Sequence, residues 1–449
     1  MNVGYIDATS SDGGALLDLG KVTVAGDLGR ILAGDATTTT PAVKLLAVHS
    51  IGEFGTNTQG AGASLITALL GGAKTVKVVG SVVGADIGMN LGGIGTLTIG
   101  GSLLGGANFR GGWIFASGDI GVCKIGGSII GGSGDQTGQI YANGKIGVLQ
   151  IAGSVFGGSS TGAGYITAFG DVGSIVIGGS LIGGTDDDSG AIALNAKIGK
   201  LAIGGSFIGG SKDGAGTLSR SGYITAQTLG TLTVGGSILA GSETGGGVLV
   251  DSGNVRIGKT IGSITVGGDI RGRLGQNVII SANGAEIPGK LTDIAIGKIT
   301  VKGRVERTDI LAGYNTSGIP VNADAQIGTV TVGDFIASNL IAGVHNNDGF
   351  FGDSNDFAIT INDDPAIKSR IAAVIIRGQV IGTPSSTDAS TFAIAAQQIG
   401  SVKLGTTIIP LQSGASNDTF AAARSQPLSG SLGVFAFISA GPDVRAYEV

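Results

Sequence analysis

The chain has 449 residues, 88 of them glycine, and only 13% are charged, with a formal net charge of −5. This charge argues against a surface that neutralises a row of phosphates, so we expect no nucleic-acid partner. Hydrophobic residues make up 42% of the chain, which argues against disorder, and eight prolines without a three-residue glycine period argue against collagen. No uninterrupted apolar run reaches the roughly 20 residues that span a bilayer, so we expect no membrane span.

The first 70 residues contain degenerate copies of a β-strand pattern. The chain opens with GYIDA at 4–8, a near copy of the GYITA found at 164–168. We therefore predict irregular N-terminal coils over 1–70, with a first strand that no helix covers. Either the chain is cut from a longer protein, or this edge docks onto another subunit, because an uncovered strand edge invites pairing. Tyr5 and Ile6 are the assembly residues expected there.

A 26-residue repeat follows the irregular coils. The phrase IGxLxIGGSxxGG begins at Ile94, Ile120, Ile146, Val172 and Ile198, and a second phrase, GxIxA, recurs between the copies. Apolar residues alternate with small or polar ones, which is the period of a strand and not of a helix. Self-similarity at a fixed period of this size indicates a solenoid whose repeats stack to bury their apolar faces.

Three short strands separated by glycine corners predict an all-β fold, a single-chain parallel β-helix with coils of about 26 residues over 71–408. We expect the right-handed form. One inward column should consist of Ile99, Ile125, Ile151, Ile177, Ile203 and Val234. A second should consist of Leu97, Cys123, Leu149, Ile175, Leu201 and Leu232. One corner should be lined by Ser102, Ser128, Ser154, Ser180, Ser206 and Ser237.

The repeat loosens after residue 210. Recognisable copies there lie about 31 to 35 residues apart, which predicts loop insertions in the C-terminal half of the solenoid. The segment 409–449 is largely free of the repeat and contains the apolar run SLGVFAFI at 431–438. We predict a C-terminal tail that caps its own helix or adds a strand to a neighbouring subunit. Val434, Phe435 and Phe437 are the assembly residues expected in this tail.

Aromatic residues recur at matching places of the GxIxA phrase, and we predict that they form an exposed patch on the outside of the solenoid. The five residues are Trp113, Phe115, Tyr141, Tyr165 and Tyr223. Exposed patches of this kind mark contacts with partners, glycans or cell surfaces. The alternative is that the rings stack on one another and only shield the backbone.

Clustered oxygen ligands suggest a metal site in one insertion. The segment HNNDGFFGDSNDF at 345–357 brings Asp348, Asp353, Asn355 and Asp356 into one loop, and calcium favours such ligands. The alternative, which the sequence favours, is a solvated turn-rich insertion, since Asn, Asp and Gly form turns without a metal. Calcium is the one cofactor considered, and no other is expected.

Catalytic chemistry is not visible in the sequence. The two histidines, His49 and His345, lie far apart in the order of the repeats, and there is no nucleophile motif, zinc-ligand spacing or phosphate-binding loop. The single Cys123 falls in an inward column, where we expect a buried thiol. We therefore predict a protein that is not an enzyme.

The IGxLxIGGSxxGG and GxIxA phrases resemble the β-strand-repeat surface proteins of bacteria, such as haemagglutinin-like and autotransporter-type β-solenoids. The resemblance covers about 71–408 and implies an extracellular or cell-surface location with a structural or adhesive role. The GGSxxGG and VGGDIRG (266–272) phrases more weakly resemble bactofilins, β-helices that polymerise end to end. The chain departs from bactofilins in its longer period, greater length and insertions, and neither resemblance transfers functional residues.

These observations favour a non-enzymatic β-solenoid subunit of an extracellular filament or surface fibre. Its partner would be another copy of the chain, joined end to end through the terminal coils. The alternative is an adhesin or glycan-binding module that uses the aromatic face. A third hypothesis is a polysaccharide-active enzyme, because many lyases and hydrolases are built on parallel β-helices.

Overall fold

The computed structural model describes residues 1–10, 14–35, 37, 39–58, 65–285, 288, 292–353, 355–382, 391–422 and 444–449. Within these ranges the chain forms β-strands and one 3₁₀ turn, Gly55–Thr58, and no α-helix. Contacts divide it into unit 1 and unit 2. Unit 1 comprises Met1–Ile224 and Gly241–Gly253, and unit 2 comprises Thr225–Ala240 and Asn254–Val449. The boundaries of these units differ from those of the predicted segments 1–70, 71–408 and 409–449. The units are defined by contacts between residues, whereas the predicted segments are defined by the regularity of the sequence repeat.

Unit 1 is built from three ladders of parallel strands, to which its regular coils contribute one strand each. The first ladder contains Leu19–Ala33, Val43–Ile51, Ala73–Val78, Ile94–Ile99, Ile120–Ile125, Ile146–Ile151, Val172–Ile177 and Lys197–Ile203. The second contains Val82–Val83, Leu103–Leu104, Ile129–Ile130, Val155–Phe156, Leu181–Ile182 and Phe207–Ile208. The third contains Val3–Asp7, the last residues of Leu19–Ala33, Ile66–Leu69, Asp86–Met89, Trp113–Ala116, Gln139–Ala142, Ile166–Ala168 and Ile192–Ala193.

The register of these ladders equals the sequence repeat. Ile120 pairs with Ile94 on one side and with Ile146 on the other, so equivalent residues of successive coils lie side by side. The predicted inward columns are confirmed, because their members are at most 2% exposed. Alternation of buried and outward residues along each strand explains the pattern, since only one face of a ladder points into the coil.

The predicted serine corner is also observed in unit 1. The side-chain oxygen of Ser128 accepts a hydrogen bond from the backbone N–H of Ser154 at 3.1 Å, and the same bond joins Ser154 to Ser180 at 2.9 Å. Each hydroxyl therefore satisfies a corner N–H of the following coil, which the ladders leave without a strand partner. The hydroxyls hold the turns of successive coils in one register.

Two small sheets are inserted beside the last coils of unit 1. Ser211–Asp213 pairs in parallel with Ser242–Thr244, and Thr217–Ser219 pairs in parallel with Val248–Val250. They belong to the part of the sequence where the repeat lengthens, as predicted for loop insertions.

Unit 2 repeats the same three-ladder architecture. Its first ladder begins with the strand Ile224–Val234, of which only Ile224 belongs to unit 1. The ladder continues with Val255–Val266, Asp293–Val301, Ala325–Val332, Arg370–Ile376, Gln398–Ile399 and Val402–Leu404. The second contains Ile238–Leu239, Ile270–Arg271, Val305–Glu306, Phe335–Ile336 and Val380–Ile381. The third contains the first residues of Val255–Val266, then Val278–Ala282, Thr308–Ala312, Asn339–Ala342, Phe392–Ala396 and Val444–Glu448.

A second apolar cluster lies outside the coils of unit 2. Leu311 and Ile341 are outward residues of the third ladder, and they pack with Phe351 and Ile359 from the insertion that contains the antiparallel pair Val344–His345 and Phe357–Ala358. Tyr447 of the last strand is packed against the same cluster. The insertion is therefore anchored to the ladder by apolar contacts.

Antiparallel strands line the last coil of unit 2. Thr407–Ile409 pairs with Val402–Leu404, and Thr419–Ala422 pairs with Val444–Glu448, in both cases antiparallel. Val444–Glu448 also pairs in parallel with Phe392–Ala396, so the described part of the 409–449 tail covers the edge of the third ladder of its own helix. Val434, Phe435 and Phe437 lie outside the described residues.

The prediction of an all-β, single-chain parallel β-helix with coils of about 26 residues and loop insertions in the C-terminal half is confirmed.

Candidate functional site

Four aromatic rings meet on the outward face of the third ladder in unit 1. Phe115 pairs with Tyr141 across adjacent strands, and their ring centroids lie 5.6 Å apart. The Trp113 ring stacks on Phe115 with centroids 4.8 Å apart and planes 17° apart, and Phe169 lies 5.9 Å from Tyr141. We call Trp113, Phe115, Tyr141 and Phe169 the aromatic cluster. Residues two apart on one strand share a face, which explains how Trp113 meets Phe115.

The prediction of five exposed rings is wrong for two of them. Trp113 is 8% exposed and Tyr223 is 4% exposed, whereas Phe115, Tyr141 and Tyr165 are partly exposed. The Trp113 ring is covered because the guanidinium carbon of Arg110 lies 4.2 Å from its centroid. The accessible part of the aromatic cluster is therefore formed by Phe115, Tyr141 and the 54% exposed Phe169.

Tyr165 belongs to a different environment. Burial raises its pKa to about 12, with a further contribution from the negative charge of Asp188. That carboxylate forms an ion pair with Arg220, whose Nε lies 2.9 Å from Oδ1 of Asp188. Of the predicted residues, the structure brings together Trp113, Phe115 and Tyr141, and it places Tyr165 beside this ion pair.

Trp113 and Asp86 each have a buried polar atom without a hydrogen-bond partner among the described residues. These atoms are Nε1 of Trp113 and Oδ1 of Asp86. Asp86 precedes Ile87, which pairs with Ile114, so Asp86 and Trp113 occupy equivalent places on adjacent strands. Burial raises the pKa of Asp86 to about 7, and the charge of Arg110 opposes this increase.

Arg110 connects these polar groups with the surface. Its guanidinium lies between the rings of Trp113 and Phe109, 4.7 Å from the centroid of Phe109, and its Nε donates to Oε1 of Gln136 at 3.2 Å. Arg110 adopts a φ of 61°, a left-handed conformation that L-residues with a side chain rarely take. The turn thus directs a cation over the ring face, where cation–π attraction favours it.

The predicted calcium loop of unit 2 uses its carboxylates for its own backbone. Oδ1 of Asp348 accepts from the N–H of Phe350 at 3.0 Å, and Oδ1 of Asp353 accepts from the N–H of Asn355 at 2.8 Å. Oδ2 of Asp356 accepts from the N–H of Gly352 at 2.6 Å and from the hydroxyl of Tyr447. These are the bonds of a turn-rich insertion.

The calcium site stays a prediction. Asn355 Nδ2 lies 3.4 Å from Oδ2 of Asp348, so these two side chains are close, while burial raises the pKa of Asp356. Among the described residues, no group of three or more His, Cys, Asp or Glu side chains is placed to hold a metal ion.

The predicted assembly residues Tyr5 and Ile6 lie in Val3–Asp7, the first strand of the third ladder. Tyr5 pairs with Arg30, whose guanidinium carbon lies 3.9 Å above the Tyr5 ring. The Tyr5 hydroxyl donates to Asp7 at 2.9 Å. Both residues are partly exposed at the ladder edge.

The sequence did not lead us to several residues of the surface around the aromatic cluster. Arg110 and Gln136 are 26 residues apart and therefore occupy equivalent places in successive coils, which was the available signal. Phe169 follows a GxIxA phrase directly, and Asp86 lies in a degenerate copy where the phrase is hard to align. Their proximity depends on turn conformation, which the repeat pattern does not specify.

The described part of the chain contains no helix with the length and hydrophobicity needed to cross a membrane. Comparison of the chain with family models, with curated proteins and with solved structures gave no match.

Proposed function

We propose that the protein is a non-enzymatic structural subunit of an extracellular filament or surface fibre that assembles with further copies of itself. The observation that supports this proposal best is the continuous register of the first ladder. Ile94, Ile120, Ile146 and Val172 pair in sequence without a shift, and serine hydroxyls bond each corner to the next. Such a repeating interface is suited to extension by another coil, because every coil presents nearly the same edge.

The junction would use residues 19–25 of Leu19–Ala33 in the first ladder, because Val3–Asp7 already pairs with residues 28–32 of the same strand. The N–H of Leu19 donates to the carbonyl of Ala42 at 2.7 Å, on the side of the following strand. Since backbone groups alternate in direction along a strand, the N–H of the next residue, Gly20, points away from that strand. A Cβ at Gly20 would meet no atom of the described residues within 4 Å. This edge therefore offers backbone donors and acceptors to an added strand.

On the other copy of the chain, the junction would use the strand Thr407–Ile409. This strand pairs with Val402–Leu404 on one side, and Ile408 is 69% exposed. A second copy whose edge at residues 19–25 pairs with Thr407–Ile409 would continue the ladder and cover Ile408. Burial of apolar surface and new backbone hydrogen bonds would both favour this contact.

Electron microscopy and light scattering of the purified chain at increasing concentration test the proposal. The wild type should form fibres, and Gly20→Pro should abolish them, because proline removes the outward N–H while an edge strand tolerates it. Gly20→Ala is the matched control, since it keeps the N–H and has free space for its methyl group. Discrete particles of the wild type at all concentrations, or fibres of Gly20→Pro equal to those of Gly20→Ala, would refute the proposal.

A further inference from the structure

We propose that the aromatic cluster of unit 1, together with Asp86 and Arg110, is a binding site for a neutral hexose residue of a glycan. This inference goes beyond a structural role and does not depend on assembly. It rests on two independent features of the surface: partly exposed rings, and buried polar atoms that have no hydrogen-bond partner in the described part of the chain.

The rings supply apolar faces for stacking. Phe115, Tyr141 and Phe169 form a contiguous series along the outward face of the ladder, with centroids 5.6 Å and 5.9 Å apart and planes tilted by 41° and 56°. A pyranose ring presents an apolar C–H face of comparable size, and aromatic side chains bury such faces with little loss of conformational freedom. The series of rings is longer than a single sugar, which fits a chain of sugars lying along the surface.

The polar atoms identify the chemistry of the ligand group. Among the described residues, the indole N–H of Trp113 has no acceptor and Oδ1 of Asp86 has no donor, and the two side chains occupy equivalent places on adjacent strands. A hydroxyl group is able both to accept and to donate a hydrogen bond, so the hydroxyls of a sugar supply the acceptor and the donor that these atoms need. Buried polar groups are nearly always paired, and this pair is an exception that a ligand would remove.

Arg110 would admit and then hold the sugar. Its guanidinium now covers the Trp113 ring and is bound by one hydrogen bond to Gln136. Rotation of this side chain would uncover the face of the Trp113 ring and bring the guanidinium N–H donors toward the hydroxyls of the sugar. Asp86 interacts electrostatically with Arg110, so the ionised carboxylate would offset the positive charge that favours an acidic sugar.

The fluorescence of Trp113 tests the site directly, since Trp113 is the single tryptophan of the chain. Maltohexaose, cellohexaose, mannohexaose and chitohexaose would each be titrated into the full-length protein. We expect a saturable change with at least one of them, and affinity weakened about tenfold or more in Asp86→Leu and in Phe115→Ala. Asp86→Leu keeps a similar volume, and an unchanged or higher melting temperature would show that its fold is intact.

Phe156→Ala is the matched control, because Phe156 is a 37% exposed aromatic residue on the second ladder, away from the aromatic cluster. Its affinity should equal that of the wild type. The absence of a saturable response to all four oligosaccharides would overturn the proposal, and would leave a bridging water as the occupant of the two polar atoms. Equal loss in Phe156→Ala and Phe115→Ala, or wild-type affinity in Asp86→Leu, would overturn it as well.

Discussion

The side-chain oxygen of Ser102 accepts a hydrogen bond from the backbone N–H of Ser128 at 3.0 Å, across two successive coils. The contact recurs with the period of the sequence, because the coils between residues 94 and 208 each place a serine at the same corner. Each serine thus has two functions in unit 1: its N–H is satisfied by the coil before, and its hydroxyl satisfies the coil after.

Replacing Ser102 by alanine should destabilise the fold by roughly 1 kcal/mol, because the N–H of Ser128 would lose its acceptor in a partly buried corner. Denaturant unfolding followed by circular dichroism would measure the loss. Ser159→Ala is the control, since Ser159 is exposed and its side chain takes no part in the corner. Equal stability of the two variants would show that water replaces the serine acceptor.

The second glycine of each GGS phrase is required by the same corner. A Cβ on Gly127 would stand 2.9 Å from the carbonyl oxygen of Gly101 and closer still to the hydroxyl of Ser102. We expect Gly127→Ala to cost roughly 2 kcal/mol or more, since both the backbone and the serine hydrogen bond would have to shift. Gly20→Ala, whose added methyl group has no atom of the described residues within 4 Å, should change stability by less than about 0.5 kcal/mol. Parallel thermal melts of the two variants make the comparison.

Sequence alone was sufficient for the ladders of this fold. The inward columns through Leu97 and Ile99 follow from strict periodicity, and a shift of one residue would turn them outward, so the register is strongly specified. The serine corner followed for the same reason. A 26-residue repeat therefore predicts well the structural features that recur from coil to coil.

Side chains from turns could not be placed by the same argument. Trp113 occupies an outward place on its strand, as predicted, yet it is buried because Arg110 folds back over it from a turn with a left-handed residue. The insertion at 345–357 is similar, since Asp356 is bonded to Tyr447, a residue 91 positions away. Neither contact repeats from coil to coil, so periodicity gave no indication of it.

The bond between Tyr447 and Asp356 should hold the 345–357 insertion against the last strand of unit 2. Tyr447→Phe keeps the ring against the outer apolar cluster and removes only the hydroxyl, so we expect a local loss of roughly 1–3 kcal/mol. Hydrogen–deuterium exchange should accelerate in 344–358 and not in unit 1. Tyr5→Phe is the control, because the Tyr5 hydroxyl is bonded to an exposed carboxylate. Uniformly faster exchange throughout the chain would contradict a local role.

The thiol of Cys123 should not react with thiol reagents in the folded protein. Its side chain is fully buried in an inward column, and burial raises the pKa of the thiol to about 12. Since the thiolate is the reactive form, a disulfide reagent such as DTNB should not label the native chain at pH 8. In urea the same reagent should release one equivalent, matching the single cysteine. Rapid stoichiometric labelling without denaturant would show that the coil around Cys123 opens readily.

Asp86 should make the stability of unit 1 depend on pH. Its pKa is raised by burial from 3.8 to about 7, so the folded state binds a proton that the unfolded state has already released. The contribution of this carboxyl to stability is therefore complete below about pH 4 and is lost as the pH rises through 7. The full difference between the two limits is roughly 4 kcal/mol.

Asp86→Asn removes the titration while preserving the shape of the side chain. Urea unfolding followed by the fluorescence of Trp113, measured from pH 4 to pH 8 for both proteins, isolates the effect because the other titrating groups are common to the two. The wild type should lose stability relative to Asp86→Asn as the pH rises, with the steepest change between pH 5 and 7. Parallel curves for the two proteins would mean that the carboxyl ionises without penalty, as it would if water or Arg110 solvated it in the folded state.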